Sequence, residues 1–442
     1  MEATTMRAVT WRLMPFLVLL YLVAYVDRSN AGFAKLTLQE ELGLSHTAFT
    51  LGQVAFFVAY ACCEVPSNVW LERFGARRWF TRIMLGWGLV TVLTALVTTP
   101  WQFYLARFLL GAAEAGFYPG VLYYLTKWYP YRYRARVVGW FMLSQPLAFL
   151  VGNPVMGALD DLDGTLGLAG WQWIFVATGA PAVLLAFVTL RVLPDGPGEV
   201  RWLDAAQRGW IAAELAAEAR QAERDGTGHG GPLGTLRDRR VILLALFYLC
   251  FPLGSYGLSF WLPTIVDGFG GLTGTQTGLV TAIPYVFVAL GLYVVPRLAD
   301  RSGGRYPWIA GMAATGALGL AASAVVTDPV LRMALLSVAA LGIYAGQPVL
   351  WSLPSRFLTG VQAASGIALI NAVGNLGGGF GPMGIGVVVD RTGSTAAGLW
   401  VLVAAMAVAA VATYGVKRVL ERPAPPAGRP SAGAAGRATA RD

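Results

Sequence analysis

The sequence predicts an all-α membrane protein with twelve transmembrane helices in two pseudo-symmetric six-helix bundles. Composition is the first observation behind this. Of 442 residues, 56% are hydrophobic and only 13% charged, whereas soluble proteins carry about 25% charged residues. A soluble core of this length could not hide that much apolar surface, so a cytosolic globular enzyme is excluded. The second observation is run length. Residues 241–266 contain no charged side chain, nor do residues 13–24, and about 20 apolar residues cross a bilayer as a helix. The third is an internal repeat, described below.

Taken in order, the first half yields spans at about 11–34, 48–71, 79–97, 101–125, 137–159 and 171–193. The second half yields 241–266, 277–295, 308–326, 330–356, 365–389 and 396–419. The first run ends in Asp27-Arg28 without a small-residue cleavage site, so it reads as a retained span and not a signal peptide. The N-terminus, the loops after even-numbered spans and the tail hold 28 Lys and Arg residues. The opposite loops hold three: Lys35, Arg332 and Arg391. Arg28 and Arg107 lie within spans. This asymmetry predicts an even number of spans with both termini in the cytoplasm. It also accounts for the net charge of +9 without invoking nucleic acid.

The expected domains are an N-terminal bundle (1–193), a cytoplasmic linker (194–240), a C-terminal bundle (241–420) and a disordered tail (421–442). Within the linker, Asp204-Ala-Ala-Gln207 has capping-box spacing and opens a helix to about Arg224. Trp202, Ala206 and Trp210 fall on one face, as expected for a helix packed beneath the bundle or lying at the headgroups. The halves repeat: Glu72-Arg73-x-Gly75 recurs as Asp300-Arg301-x-Gly303, 228 residues on. Gly152-Asn-Pro-x-x-Gly157 in span 5 corresponds to Gly381-Pro-x-Gly384 in span 11. Two related halves joined by a long loop describe a transporter architecture.

Cys62, Cys63 and Cys250 lie in apolar segments and imply neither a disulfide framework nor a metal site. The two histidines, His46 and His229, are too far apart in the chain to suggest a metal centre. The glycines Gly374, Gly377, Gly378, Gly379 and Gly381 lack the Lys-Ser/Thr ending of a phosphate loop. They are expected to permit close packing and bending, as are Gly111 and Gly116.

The loop after span 2, Asn68-x3-Glu72-Arg73-x-Gly75-x-Arg77-Arg78, resembles the signature loop of the major facilitator superfamily, with Asn and Glu where that signature has Gly and Asp. Arg107-x3-Gly111 in span 4 is similar to a second pattern of that family. Within it, the chain resembles the anion:cation symporter group of tartrate, phthalate, nicotinate and hexonate permeases. The resemblance is carried by Tyr21-Leu-Val-Ala-Tyr25-Val-Asp27-Arg28-Ser-Asn30-Ala-Gly32-Phe33, Glu64-Val-Pro66-Ser-Asn68, Tyr256-Gly-Leu-Ser-Phe260-Trp261-Leu-Pro263, Trp351-Ser-Leu-Pro354 and residues 366–378. It covers about residues 10–420. In the resembled group the arginine equivalent to Arg28 contacts the substrate carboxylate.

Ionisable groups inside spans are costly and mark function. Five stand out: Asp27, Arg28, Glu64, Arg107 and Glu114. Arg28 shares a helical face with Tyr21 and Tyr25, and its planar fork suits a carboxylate. Asp27 and Glu114 are candidate proton carriers, with Arg107 as their modulator. Burial favours the protonated acid and a nearby arginine the ionised one, so a substrate competing for Arg28 or Arg107 releases an acid to take a proton. The bland alternative is a permanent Asp27–Arg107 pair. Arg107 and Glu114, seven residues apart on one helix, sit about 10.5 Å apart along its axis and cannot simply neutralise each other. Glu64, placed near the basic loop, reads as a structural gate or loop contact.

Tyr60, Gln145, Trp351, Asn371 and Asn375 are expected to hydrogen-bond the body of the substrate, although any one of them could be interhelical glue. Gln145 and Asn371 occupy nearly equivalent places in the two repeats. Span 10 carries Val338 in the register of Arg107, so the first half is expected to handle charge and the second the rest of the substrate. Glu72, Arg73, Asp300 and Arg301 form the expected gating loops.

The expected function is proton-coupled uptake of a small organic anion across a bacterial-type inner membrane, by alternating access, in a monomer without cofactor. Its expected partners are substrate, protons and lipid. An exchanger or uniporter on the same fold is the alternative. A nutrient sensor lacks a recognisable signalling extension here, and a membrane enzyme lacks a catalytic constellation.

Overall fold

The computed structural model describes residues 1–224, 238–354 and 360–421. Those residues contain helices and no strand. Span 1 is Glu2–Glu41, span 2 His46–Phe74 and span 3 Ala76–Thr94. Span 4 joins Pro100–Glu114 to Phe117–Thr126, and span 5 joins Tyr131–Met142 to Ser144–Asp160. Span 6 is Gly170–Val192. A linker helix, Ala205–Arg224, follows. The second half comprises span 7 (Arg239–Asp267), span 8 (Gly274–Ser302) and span 9 (Arg305–Val325). Span 10 joins Pro329–Ala345 to Gln347–Leu350, span 11 joins Gly360–Asn375 to Gly377–Thr392, and span 12 is Thr395–Leu420. Ten of these meet the length and apolarity expected of a membrane span. Spans 3 and 4 fall short because the former opens on Arg77, Arg78 and Arg82 and the latter is broken in two after Glu114.

Helix starts repeat between halves as the motifs do. The Ser45 hydroxyl accepts from Ala48 N–H at span 2, and Thr273 forms a capping box with Gln276 at span 8, 228 residues on. Thr99 caps span 4 and Asp328 caps span 10, each followed by proline at the first helical position, where a missing N–H costs nothing.

The repeat also ties the halves together. Asp161, just past span 5, accepts Gly274 N–H (2.6 Å), Thr275 N–H (2.8 Å) and the Thr275 hydroxyl (2.6 Å) at the start of span 8. Its repeat mate Asp390, at the end of span 11, accepts His46 N–H (2.9 Å) and Thr47 N–H (2.8 Å) at the start of span 2. Each carboxylate satisfies orphan donors and faces the positive end of a helix from the other half. Glycines allow the approach: a methyl on Gly157 would strike Gly274 O, and one on Gly278 would strike Asn153 O. On the other seam, a Gly379 methyl would lie 2.9 Å from Val54 Cα. These latches close the face opposite the termini.

Hydrogen bonds from Thr275, and the backbone N–H groups beside them, hold the Asp161 carboxyl below its ordinary range. The latch is therefore intact at neutral pH and is lost only as pH falls through that depressed value. Replacing Asp161 and Asp390 together by Asn should favour opening of this face by about 1 kcal/mol per site. Spin-label distances between the loops following spans 1 and 7 should lengthen in a larger fraction of molecules. Unchanged distances would show that glycine packing alone holds the seam.

Two expectations need correction, and one choice between alternatives is decided. Span 1 runs to Glu41, beyond the expected 34, so Lys35 is not a loop residue. It is 2% exposed, with its ammonium 3.3 Å from the Trp261 ring centroid and 3.3 Å from the Thr264 hydroxyl. The aromatic face and hydroxyl let this cation sit inside the seam. The linker helix starts at Ala205, with Asp204 and Gln207 capping reciprocally, but Ala206 is exposed. Its inner face is Ile211 with Trp210, while Trp202 precedes the helix and stacks on Trp128 at 6.0 Å. The helix does not lie loose at the headgroups: Glu214 and Glu218 pair with Arg132 and Arg134 of span 5. His229 and the tail from residue 422 fall outside the described residues.

Candidate functional site

Between the halves lies a cavity of about 270 Å³. Its walls come from the termini-side portions of spans 4, 5, 8 and 10 and from the middles of spans 1, 2, 7 and 11. With the opposite face latched, access is from the side of the termini. Arg28, Tyr25, Tyr60, Gln145, Trp351, Asn371 and Asn375 all line it, and among the described residues Arg28 is the one charged side chain that does. Seven tyrosines contribute: 21, 25, 60, 118, 248, 256 and 344. The wall is thus aromatic with phenolic tips, and among the described residues its charge comes from the first half.

Arg28 is held from three directions. Its Nε donates to Glu114 Oε1 at 2.5 Å, with side-chain exposures of 9% and 1%. Its Nη1 donates to the Tyr256 hydroxyl of span 7 at 3.1 Å. Its Cζ lies 5.1 Å from the Tyr60 ring centroid and 5.5 Å from that of Tyr25. Glu114 engages one edge of the fork, leaving donors on the terminal nitrogens for a second acceptor. Span 4 breaks directly after Glu114: Gly116 takes φ +84°, and a side chain there would run into Ser67. Span 10 breaks at the matching Gly346, so both repeats have discontinuous helices at the cavity, a common device at transporter sites.

Asp27 points elsewhere. Successive residues of a helix diverge by about 100°, so Asp27 faces spans 3 and 6 while Arg28 faces the cavity. It accepts from Asn30 (3.2 Å) and from Thr91 (3.1 Å), and Asn30 also donates to Thr178. The alternative of a permanent Asp27–Arg107 ion pair is not realised. Arg107 donates to Gln53 Oε1 at 2.7 Å and stacks 5.0 Å from the Phe56 ring. Its Nε and Nη1 have no partner, nor does Glu114 Oε2. The three groups nonetheless interact electrostatically. Asp27, Arg107 and Glu114 therefore form a buried layer behind the cavity, touching it through the Glu114–Arg28 contact.

Glu64 does not meet the basic loop. It is buried and accepts from Asn371 Nδ2 at 2.8 Å, across the two halves, so it is a third carboxyl beside the cavity. Glu72, Arg73, Asp300 and Arg301 are exposed at the termini face and form no ion pair among the described residues. The neighbouring Arg77 instead joins the linker through Asp195, Leu193 O and Glu199.

Tyr256 joins the site from the second half, beyond the residues expected from the sequence, although the sequence carries a signal for it. It stands 228 residues after Arg28, the repeat spacing, and Tyr344 stands 230 after Glu114. The second half thus carries tyrosines where the first carries an ion pair. Gln53 and Thr91 carry no such signal, because their partners are on other helices.

Two latched helical repeats around a central cavity are the architecture of a membrane transporter. The chain belongs to the Major Facilitator Superfamily, whose family profile matches residues 17–382 and 271–441. It is 49% identical over 421 residues to a quinolone resistance transporter of Acinetobacter baumannii, covering 95% of this chain and 96% of that one. It is 43% identical over 425 residues to a proposed tartrate transporter of Agrobacterium vitis, covering 96% of each. The relatives fit the anion:cation symporter group within the superfamily. In fold it is similar to a bacterial homologue of the lysosomal transporter Spinster in an inward-facing, occupied conformation. There the TM-score is 0.73 at 17% identity, with 92% of this chain and 96% of the other covered.

Proposed function

We propose that the protein takes up a small organic carboxylate together with protons across the inner membrane, as a monomer with both termini cytoplasmic. The observation that carries this is Arg28: the one cation that the described residues place in this aromatic cavity, its fork half engaged by Glu114 and Tyr256. Tartrate, nicotinate, phthalate, sugar acids and quinolone drugs all bear a carboxylate for that fork, and the phenols, Gln145, Asn371 and Asn375 offer hydrogen bonds to the remainder. The names of the two relatives suit this common chemistry.

Charge balance supports the proton. Three carboxyls (Asp27, Glu64, Glu114) face two guanidiniums (Arg28, Arg107) in a low-dielectric interior, where an uncompensated ion costs several kcal/mol. The cluster is neutral with one proton aboard, and each monoanion admitted calls for one more. A substrate carboxylate taking Arg28 from Glu114 leaves that acid unpaired and ready to bind it. Rocking of the halves about the cavity then exchanges the latched face for one closed by Glu72, Arg73, Asp300 and Arg301.

Purified protein in proteoliposomes tests this with a labelled panel of those acids. An inward proton gradient should drive accumulation of at least one, and a protonophore should abolish it. Uptake that ignores the protonophore and tracks an internal counter-anion would replace symport by exchange. No uptake of any carboxylate would remove the substrate class.

A further inference from the structure

A second cavity of about 630 Å³ lies away from the first, between the termini-side ends of spans 1 and 5. Its mouth carries Arg7 and Arg136, and its depth is lined by Met14 and Val18 among others. Trp11 and Trp140 flank it, 71% and 42% exposed. Both helices start on the same face of the membrane, and each presents Arg then Trp four residues later, one turn further in. The Trp140 stripe continues through exposed Leu147, Val151 and Val155, so this face of span 5 looks into lipid.

The other polar groups at the mouth are already committed. The Tyr133 hydroxyl donates to Glu2 at 2.6 Å, and Arg132 pairs with Glu2 and Glu214. Among the described residues, Arg7 and Arg136 have no hydrogen bond or ion pair; Arg136 lies 5.0 Å from the Trp140 ring. Two unpaired guanidiniums therefore sit on the water side of two interfacial indoles, above an apolar groove. From Arg7 to Val18 the groove runs about 16 Å along the helix, enough for a headgroup and the upper part of an acyl chain.

We infer that this groove is a binding site for an anionic phospholipid, with its phosphodiester between Arg7 and Arg136 and an acyl chain along Met14 and Val18. Charge complementarity selects the occupant: a zwitterionic lipid offers the arginines no net charge, and a soluble anion leaves the groove unfilled. Basic pockets between membrane helices recognise anionic headgroups in this way, and the excess of basic residues on this face places it at the anionic cytoplasmic leaflet. The inference needs only that the spans lie in a bilayer, so it is independent of the transported substrate.

Native mass spectrometry of the delipidated full-length protein, titrated with phosphatidylglycerol or phosphatidylcholine, tests it. With each arginine worth about 1 kcal/mol near the surface, phosphatidylglycerol should bind roughly 20- to 30-fold more tightly. The R7Q/R136Q double variant should lose that preference, and R7K/R136K should keep most of it because phosphate accepts a point charge. W11A/W140A should weaken both lipids alike. Equal affinity for the two lipids, an undiminished preference in R7Q/R136Q, or displacement of phosphatidylglycerol by inorganic phosphate alone would each overturn the assignment.

Discussion

Replacing Arg28 by Gln should lower affinity for the proposed carboxylate substrate by roughly 30-fold to several thousand-fold, since a desolvated charge-assisted pair is worth about 2–5 kcal/mol. Arg28→Lys should recover little of it. An ammonium is a compact donor that cannot span Glu114, Tyr256 and a substrate carboxylate together. The change also strands Glu114, which is 1% exposed, and removing one member of a buried pair destabilises a fold by about 3–5 kcal/mol. Arg28→Gln combined with Glu114→Gln separates the effects: it should regain thermal stability and still fail to bind. Substrate-induced thermal shifts and counterflow in proteoliposomes measure both. Undiminished affinity in the Gln and Lys variants would remove Arg28 from the site.

Glu114→Gln should abolish uphill accumulation while leaving substrate exchange intact. Under a gradient of one pH unit, worth 1.36 kcal/mol, one-for-one coupling supports about tenfold accumulation in the wild type, and the variant should stop at equilibration. The geometry distinguishes the two acids. Glu114 touches Arg28 and so feels substrate arrival directly. Asp27 is held by Asn30 and Thr91 and acts only through the field of Arg107 and Glu114. Asp27→Asn should therefore also lose accumulation, but with unchanged substrate affinity, whereas Glu114→Gln should alter affinity and flatten its pH dependence. If Asp27→Asn accumulates normally, the proton path runs through Glu114 and Glu64 alone.

The seven residues expected to meet the substrate all line one cavity, and physical reasons explain why they were legible. Polar side chains in apolar spans are conspicuous, and the 3.6-residue period places Tyr21, Tyr25 and Arg28 on one face before any neighbour is known. The repeat then aligns Gln145 with Asn371. Legibility stopped at pairing. Sequence proximity points Glu64 at the basic loop, yet its partner Asn371 lies 307 residues away. A charge ordinarily ends a span, which points Lys35 to a loop, but Trp261 and Thr264 of span 7 shelter it within the seam.

Composition, run length and the 228-residue repeat were enough to determine a polytopic bundle of two related halves, the sidedness of its basic loops and an arginine that had to serve a purpose in oil. These are local or periodic properties, carried by each segment's own residues. Only the tertiary structure decided that Arg28 meets Glu114 and Tyr256 while Asp27 turns to Thr91, and that Asp161 and Asp390 cap helices of the opposite half. Those choices depend on how far each helix is rotated and how deeply it is set against the next. Close glycine contacts between helices distant in sequence determine both, and no single segment encodes them.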